Sequence, residues 1–194
     1  MELDVPLKSV TSSCLNQDTD RELIERAKSD PNAFAQLYRL HYHRLALYIH
    51  RRTGQQEVTE DLVGELFLIV LRKLPRYQSH KAPFRFWLYR VATNLVNQWA
   101  RGERRRLRRL ERHAAGLAAT SDPKEVTSDQ DQLRLALLAL SPNQQSLLML
   151  HYRESFSIEQ IAIIIRRPQG TVKSRLHRAR NSLREAMEAR CEDV

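Results

Sequence analysis

Ser157-Ile158-Glu159-Gln160-Ile161-Ala162-Ile163-Ile164-Ile165-Arg166-Arg167-Pro168-Gln169-Gly170-Thr171-Val172-Lys173-Ser174-Arg175-Leu176-His177-Arg178-Ala179-Arg180 reads as two helices with a tight break between them. Ser157 followed by Gln160 predicts a capping box, in which each side chain takes up the other residue's free backbone N–H. An apolar run follows and stops at Arg166-Arg167-Pro168, since proline disfavours helical geometry in the residue before it. A second helix starts near Gln169. In it Val172, Leu176, Ala179, Leu183 and Met187 recur at helical spacing and predict a buried stripe. Lys173, Ser174, His177 and Arg178 point the other way, near the N-terminal half. These are the proportions of a helix-turn-helix, whose second helix meets base edges in the major groove with its N-terminal residues. A basic amphipathic helix that merely closes a bundle is the plainer reading of the same pattern.

Outward from this stretch, other helix boundaries are equally legible. Asp30-Pro31 and Ser141-Pro142 each pair an N-cap with proline at the first helical position, and Gln144 completes a box with Ser141. Gly54 predicts a C-cap. The pattern gives helices near 20–29, 31–53, 57–74, 83–111, 129–139, 142–153, 157–165 and 169–190, with no competing strand pattern. The expected fold is all-α, two small helical domains joined by a flexible linker. Their bounds are a loose N-terminus over 1–18, a first domain over 19–112, a linker over 113–128 and a second domain over 129–194. The linker carries Ala, Thr, Ser, Pro and Asp without periodicity.

Charge is unevenly spread along the 194 residues. The net is +9, yet 71–112 alone holds 13 basic and 2 acidic residues. That concentration predicts a polyanionic partner centred there. The longest apolar run, 66–71, is far short of the ~20 residues a membrane crossing needs. The acidic start Met1-Glu2-Leu3-Asp4 lacks a signal-peptide core, which points to a cytoplasmic protein without direct membrane insertion. Cys14 and Cys191 lie near opposite ends and are read as two inert thiols of a reducing compartment.

Two further faces carry information. On 57–74, Val58, Leu62, Leu66 and Ile69 form the expected core stripe. Opposite run Glu57, Glu60, Asp61, Gly64 and Glu65 together with Leu68 and Leu71. Leucines set among carboxylates suggest docking to another protein, because a merely solvated face does not need them. Burial on most sides of the helix is the alternative. On 83–111, Phe84, Leu88, Val91, Leu95 and Trp99 are expected in the core, with Trp87 at its edge. The other side presents Phe86, Arg90, Thr93, Asn94, Asn97, Arg101, Arg104 and Arg108. Guanidiniums for phosphates, amides for base edges and rings for stacking suit a nucleic-acid strand. The run Arg104-Arg105-Arg106 is also readable as a solvated helix end.

Catalytic signatures are missing from the chain: no glycine-rich phosphate loop, no zinc spacing of cysteines and no nucleophile elbow. His41 and His43 diverge by ~200° on a helix, so with His50 they make a poor metal site. Neither enzyme activity nor a cofactor or metal is expected.

The string Gly170 to Arg180 resembles the end of region 4 in sigma-70-type factors of the extracytoplasmic-function (ECF, group 4) class. Leu140-Ser141-Pro142 and Phe156-Ser157-Ile158-Glu159-Gln160-Ile161-Ala162 match the same region. Asp61-Leu62-Val63-Gly64-Glu65-Leu66-Phe67 is similar to region 2.2, and Phe84-Arg85-Phe86-Trp87-Leu88-Tyr89-Arg90-Val91-Ala92-Thr93-Asn94 to regions 2.3 and 2.4. The resemblance covers about 20–112 and 130–190, with a linker where larger sigma factors carry region 3.

It implies a dissociable specificity subunit of bacterial RNA polymerase that directs promoter-specific initiation. Glu57, Glu60, Asp61, Glu65, Leu68 and Leu71 would dock on the clamp helices of the largest subunit, and the flap of the second-largest subunit is a further implied contact. Phe86, Arg90, Thr93, Asn94, Asn97, Arg101 and Arg104, with the loop 76–83, would hold the −10 element as an opened strand. Arg166, Arg167, Thr171, Lys173, Ser174, His177 and Arg178 would read the −35 element as duplex. An anti-sigma factor, often membrane-bound in this family, is an implied partner. The chain departs from the family in having Arg166 and Arg167 where glycine and an aliphatic residue are usual, and Ile163 where an acid is common. Two other readings stay open. A stand-alone helix-turn-helix regulator has no use for the faces on 57–74 and 83–111. A helical adaptor binding acidic proteins has no use for Gly170 and Ser174 at a groove-facing end.

Overall fold

The computed structural model describes residues 17–79, 82–114 and 129–191. Among these every regular element is helical: α1 (Gln17–Ala27), α2 (Pro31–Thr53), α3 (Gln56–Lys73), α4 (Phe84–Ala114), α5 (Asp129–Ala139), α6 (Pro142–Leu148), α7 (Ile158–Ile165) and α8 (Gln169–Cys191). A 3₁₀ turn, Leu74–Arg76, follows α3, and a π-helical turn, Met149–Arg153, follows α6.

The boundaries follow from local chemistry. The Asp30 carboxylate accepts from the Asn32 N–H at 2.8 Å, and Pro31 opens α2. Gly54 closes that helix at φ 66° with its N–H on the His50 carbonyl, a left-handed conformation glycine adopts at no steric cost. Capping boxes at Ser141/Gln144 and Ser157/Gln160 start α6 and α7, each worth about 1 kcal/mol of helix stability. Some ends differ from the periodicity. Gln17 and Asp18, expected in the loose N-terminus, begin α1, and His113 and Ala114, expected in the linker, continue α4. Residues 1–16 and 115–128, on which the rest of those two expectations falls, lie outside the described residues, as do His80 and Lys81 of the loop 76–83.

Helices α1–α4 pack around Leu37, Leu45, Tyr48, Leu66, Leu88 and Val96, and α5–α8 around Leu147, Leu150, Ile161, Ile164, Val172 and Leu176. These are the two helical domains. Helix α4 belongs to the first but also packs against α6 and α7 of the second. Two faces of α4 are therefore covered. This is the feature of the fold that most affects the interfaces.

Candidate nucleic-acid and partner interfaces

The turn between α7 and α8 has Arg166 at φ 53°, ψ 55°, the left-handed conformation glycine would take without strain. The Arg167 N–H donates to the Ala162 carbonyl at 3.1 Å and the Val172 N–H to Pro168 at 3.1 Å, which ties the turn to both helices. Beyond it Val172, Leu176 and Ala179 are buried as expected. Leu183 is half-buried, and Met187 is exposed: the stripe leaves the core before the helix ends. Lys173, Ser174, His177 and Arg178 are all exposed on one side, with Thr171 half-buried at its start. The Ser174 hydroxyl donates to the Thr171 carbonyl at 3.1 Å, and His177 lies 3.3 Å from the Asn181 amide. Donors and acceptors are thus presented on a rigid helix with a packed back.

The outer face of α3 is equally clean. Glu57, Glu60, Asp61, Gly64 and Glu65 are exposed, and Leu68 and Leu71 keep 57% and 48% of their surface in solvent. The opposite side buries Thr59, Leu62, Val63, Leu66, Phe67 and Val70. Val58 and Ile69, expected in the middle of the core stripe, sit half-buried at its margins. The buried stripe is rotated toward Val63 and Phe67, where Tyr38 of α2 packs on the Phe67 ring at 4.3 Å.

Helix α4 departs most from the expectation. Of the side expected to face a strand, only Asn94, Arg101 and Arg108 are exposed. Thr93 is buried with its hydroxyl 2.9 Å from that of Tyr48. Phe86 packs edge-on against Phe156 of the second domain, centroids 5.6 Å apart. Arg90 donates through Nε to the Ile164 carbonyl at 2.9 Å and through a terminal nitrogen to that of Ile163 at 2.7 Å, so it caps the C-terminus of α7. Arg104 donates to the carbonyls of Leu138 and Leu140 at the end of α5. Such cations at helix C-termini satisfy orphan carbonyls and complement the dipole. Trp87 tilts against Tyr77 at 5.1 Å and is packing, half-buried on the core.

Asn97 is buried at the centre of this seam. Its carbonyl oxygen accepts from Arg52 at 3.1 Å and from Ser146 at 2.8 Å, and its amide donates to Asn143 at 3.3 Å. Arg52 itself is 7% exposed, donating to Ser146 at 2.7 Å and to the Pro142 carbonyl at 3.1 Å. Its Nε has no partner, and burial pulls its pKa below the ordinary value. Nearby, the Tyr89 hydroxyl donates to Glu154, which also sits 3.6 Å from Arg51. Burial first, then the Glu154 charge, raises the Tyr89 pKa. The Arg85 guanidinium lies 4.6 Å from the Phe156 ring centre.

Sequence reasoning missed Arg52, Tyr89, Glu154 and Phe156 as seam residues. No local pattern marks Arg52's contacts with Ser146 and the Pro142 carbonyl, about ninety residues away in the chain. It also missed an apolar groove of ≈ 770 Å³ on the second domain, lined by Leu133, Leu137, Met149, Tyr152, Leu183 and Met187 among others. Met187, expected in the buried stripe of α8, is exposed on it, as is Tyr152. Among the described residues no group of three His, Cys, Asp or Glu side chains is placed to hold a metal, and no helix is long and apolar enough to cross a membrane.

Residues 37–106 match the family Sigma-70 region 2, and residues 130–183 match Sigma-70, region 4. The RNA polymerase sigma factor YlaC of Bacillus subtilis is 31% identical over 156 residues, 78% of this chain and 90% of that protein. The ECF RNA polymerase sigma factor SigE of Mycolicibacterium smegmatis is 33% identical over 77% of this chain, which spans 60% of it. In fold, the chain is similar to the sigma factor RpoE solved with the anti-sigma factor NepR from Bartonella quintana, with TM-score 0.56, 27% identity, and 80% and 96% of the two chains covered. CnrH, solved with the cytosolic domain of CnrY, shares the fold at TM-score 0.62 and 23% identity, over 89% and 99% of the chains. Region 2 over α2–α4, region 4 over α5–α8 and relatives aligned across both show that this chain belongs to the ECF subfamily of the sigma-70 family of RNA polymerase sigma factors.

Proposed function

We propose that the chain binds core RNA polymerase and directs initiation at promoters carrying a −35 duplex element and a −10 element read as an opened strand. The single observation that carries this reading is the α7–turn–α8 unit. Lys173, Ser174, His177 and Arg178 project from a helix whose other side is locked by Val172, Leu176 and Ala179. That geometry suits base edges in a major groove. The exposed leucines among carboxylates on α3 favour a polymerase subunit over a stand-alone regulator, since operator binding alone gives them no task. They suit the clamp helices of the largest subunit, and the apolar groove on the second domain suits a helix such as the flap of the second-largest subunit supplies.

The strand-reading side of α4 must be released before it can act. Arg90 and Arg104 donate to carbonyls of the second domain and Asn97 bonds Ser146 and Asn143 there, so −10 binding goes with separation of the domains. Aromatic and amide contacts to an unstacked base then offset the few kcal/mol that unstacking costs. A sigma factor of similar fold, RpoE of Bartonella quintana, was solved in complex with the anti-sigma factor NepR, and the same class of partner is proposed here. Purified chain added to core polymerase on a library of promoter fragments tests the reading. Specific transcripts support it, and duplex binding without any stimulation of transcription favours the stand-alone regulator.

A further inference from the structure

Closure of the two domains gathers positive charge that has no counter-charge. A cavity of ≈ 330 Å³ lies in the seam, lined by Arg90 and Asn94 from α4, Asn143 from α6, and Arg166, Arg167 and Arg175 from the turn and α8. No carboxylate lines it. None of its four arginines has an ion-pair partner among the described residues, where the pairs involve Arg26, Lys28, Arg51 and Arg106. Arg90 feels this directly: burial lowers its pKa first, and the charge of Arg166 lowers it further. A guanidinium cannot escape by losing its proton at physiological pH, so the repulsion persists unless an anion enters. Thr93, Asn97 and Ser146 also line the cavity.

We propose that this seam cavity binds a compact phosphate-bearing anion, of pyrophosphate to mononucleotide size, and that the bound anion holds the two domains closed. The size is at the lower end of small-molecule sites, ~300–1,000 Å³, too small for a duplex. Guanidiniums match phosphate oxygens in bidentate fashion, and while Arg90 keeps its bonds to the Ile163 and Ile164 carbonyls, Arg166, Arg167 and Arg175 line the same space with donors enough for a phosphate. The amides of Asn94 and Asn143 are placed to accept or donate to the rest of the ligand. The site exists only when Arg90 of the first domain meets Arg166, Arg167 and Arg175 of the second. A ligand that needs both halves binds the closed form alone and shifts the population toward it. By reciprocity, whatever opens the seam weakens the anion by the same factor. The regulatory consequence, that the anion opposes −10 strand capture, rests on the promoter-reading function proposed above. The binding itself does not.

The test uses the full chain with sodium pyrophosphate, and separately ATP without metal, titrated calorimetrically at a fixed ionic strength of about 0.15 M to suppress loose surface attraction. One site per chain is expected, with a rise in melting temperature. Arg166→Ala with Arg175→Ala is expected to weaken binding roughly tenfold or more, from the loss of two charge-assisted contacts. Arg105→Ser with Arg109→Ser, on the exposed end of α4, is expected to change it less than about twofold. Arg175→Lys keeps the charge and the fold but loses the planar fork, and is expected to weaken binding severalfold. The wild-type radius of gyration in X-ray scattering is expected to fall or hold on adding pyrophosphate, and to be insensitive to it in the Arg166/Arg175 variant. Equal weakening by the seam and surface pairs, or several weak sites without a melting shift, overturns the proposal. Run-off transcription without added anion reads promoter function separately, so failure of one reading is not mistaken for failure of the other.

Discussion

Arg166 and His41 are two positions where a single side chain is at odds with its surroundings. Arg166 holds a left-handed φ of 53° and faces other guanidiniums across the seam. Arg166→Gly removes both costs. It should stabilise the chain by about 1 kcal/mol, seen as a rise of ~2–4 °C in thermal melting. His41 is 8% exposed, with its Nε2 unpartnered and its ring 5.5 Å from Phe84. Its pKa is pulled from 6.5 to about 4, by burial first and then by Arg44 and Arg85. The proton therefore prefers the unfolded chain. Stability from a neutral His41 is fully present above about pH 6.5 and is lost as pH falls through the window down to about 4, at up to ~1.4 kcal/mol per pH unit. Urea unfolding of wild type and His41→Leu at pH 5 and pH 7 should show a smaller pH effect in the variant. Caps such as Asp30, Ser157 and Gly54 were legible because they act within four residues. The burial of His41 depends on α4 and was not.

At the scale of elements, α3 and α8 could be read from a helical wheel and α4 only in part. A wheel separates one buried face from one exposed face, and α4 has partners on two. Thr93 and Asn97 therefore looked free in the sequence and are buried in the structure. Asn94 and Asn97 consequently part company. Asn97→Ala leaves Arg52 and Ser146 short of a shared acceptor and should cost ~1–3 kcal/mol of stability in urea unfolding. Exposed Asn94→Ala should stay within about 0.5 kcal/mol of wild type. It should still lower permanganate reactivity of promoter thymines, and wild-type melting would remove Asn94 from strand capture. On α3, Asp61→Arg with Leu68→Ala alters only exposed positions. Core-polymerase binding should weaken in a pull-down while circular dichroism stays unchanged. On α8, Lys173→Ala and Arg178→Ala should each change the −35 sequences selected from randomised DNA, base-edge contacts being worth ~1–3 kcal/mol. An unaltered motif would make them phosphate contacts.

The whole molecule combines two domains whose proposed separate jobs oppose their packing together. The basic stretch over 71–112 suits DNA, yet in the closed chain Arg90 and Arg104 serve as caps for helices of the other domain. The all-helical class, both domains and the helix-turn-helix were readable because each rests on local periodicity and capping. The seam was not, since Arg52 and Asn97 meet Ser146, and Arg51 and Tyr89 meet Glu154, only through chain folding across the linker. Promoter choice conferred on core RNA polymerase is the property on which the proposed function stands. The most direct measurement is run-off transcription by purified core enzyme on a promoter library, with and without the chain, with transcript ends sequenced. The account predicts chain-dependent transcripts that start at a fixed distance from a shared two-part motif, and loss of that motif's upstream half as a determinant in Lys173→Ala with Arg178→Ala. Transcript ends that are the same with and without the chain, under conditions where it binds core polymerase, would contradict it.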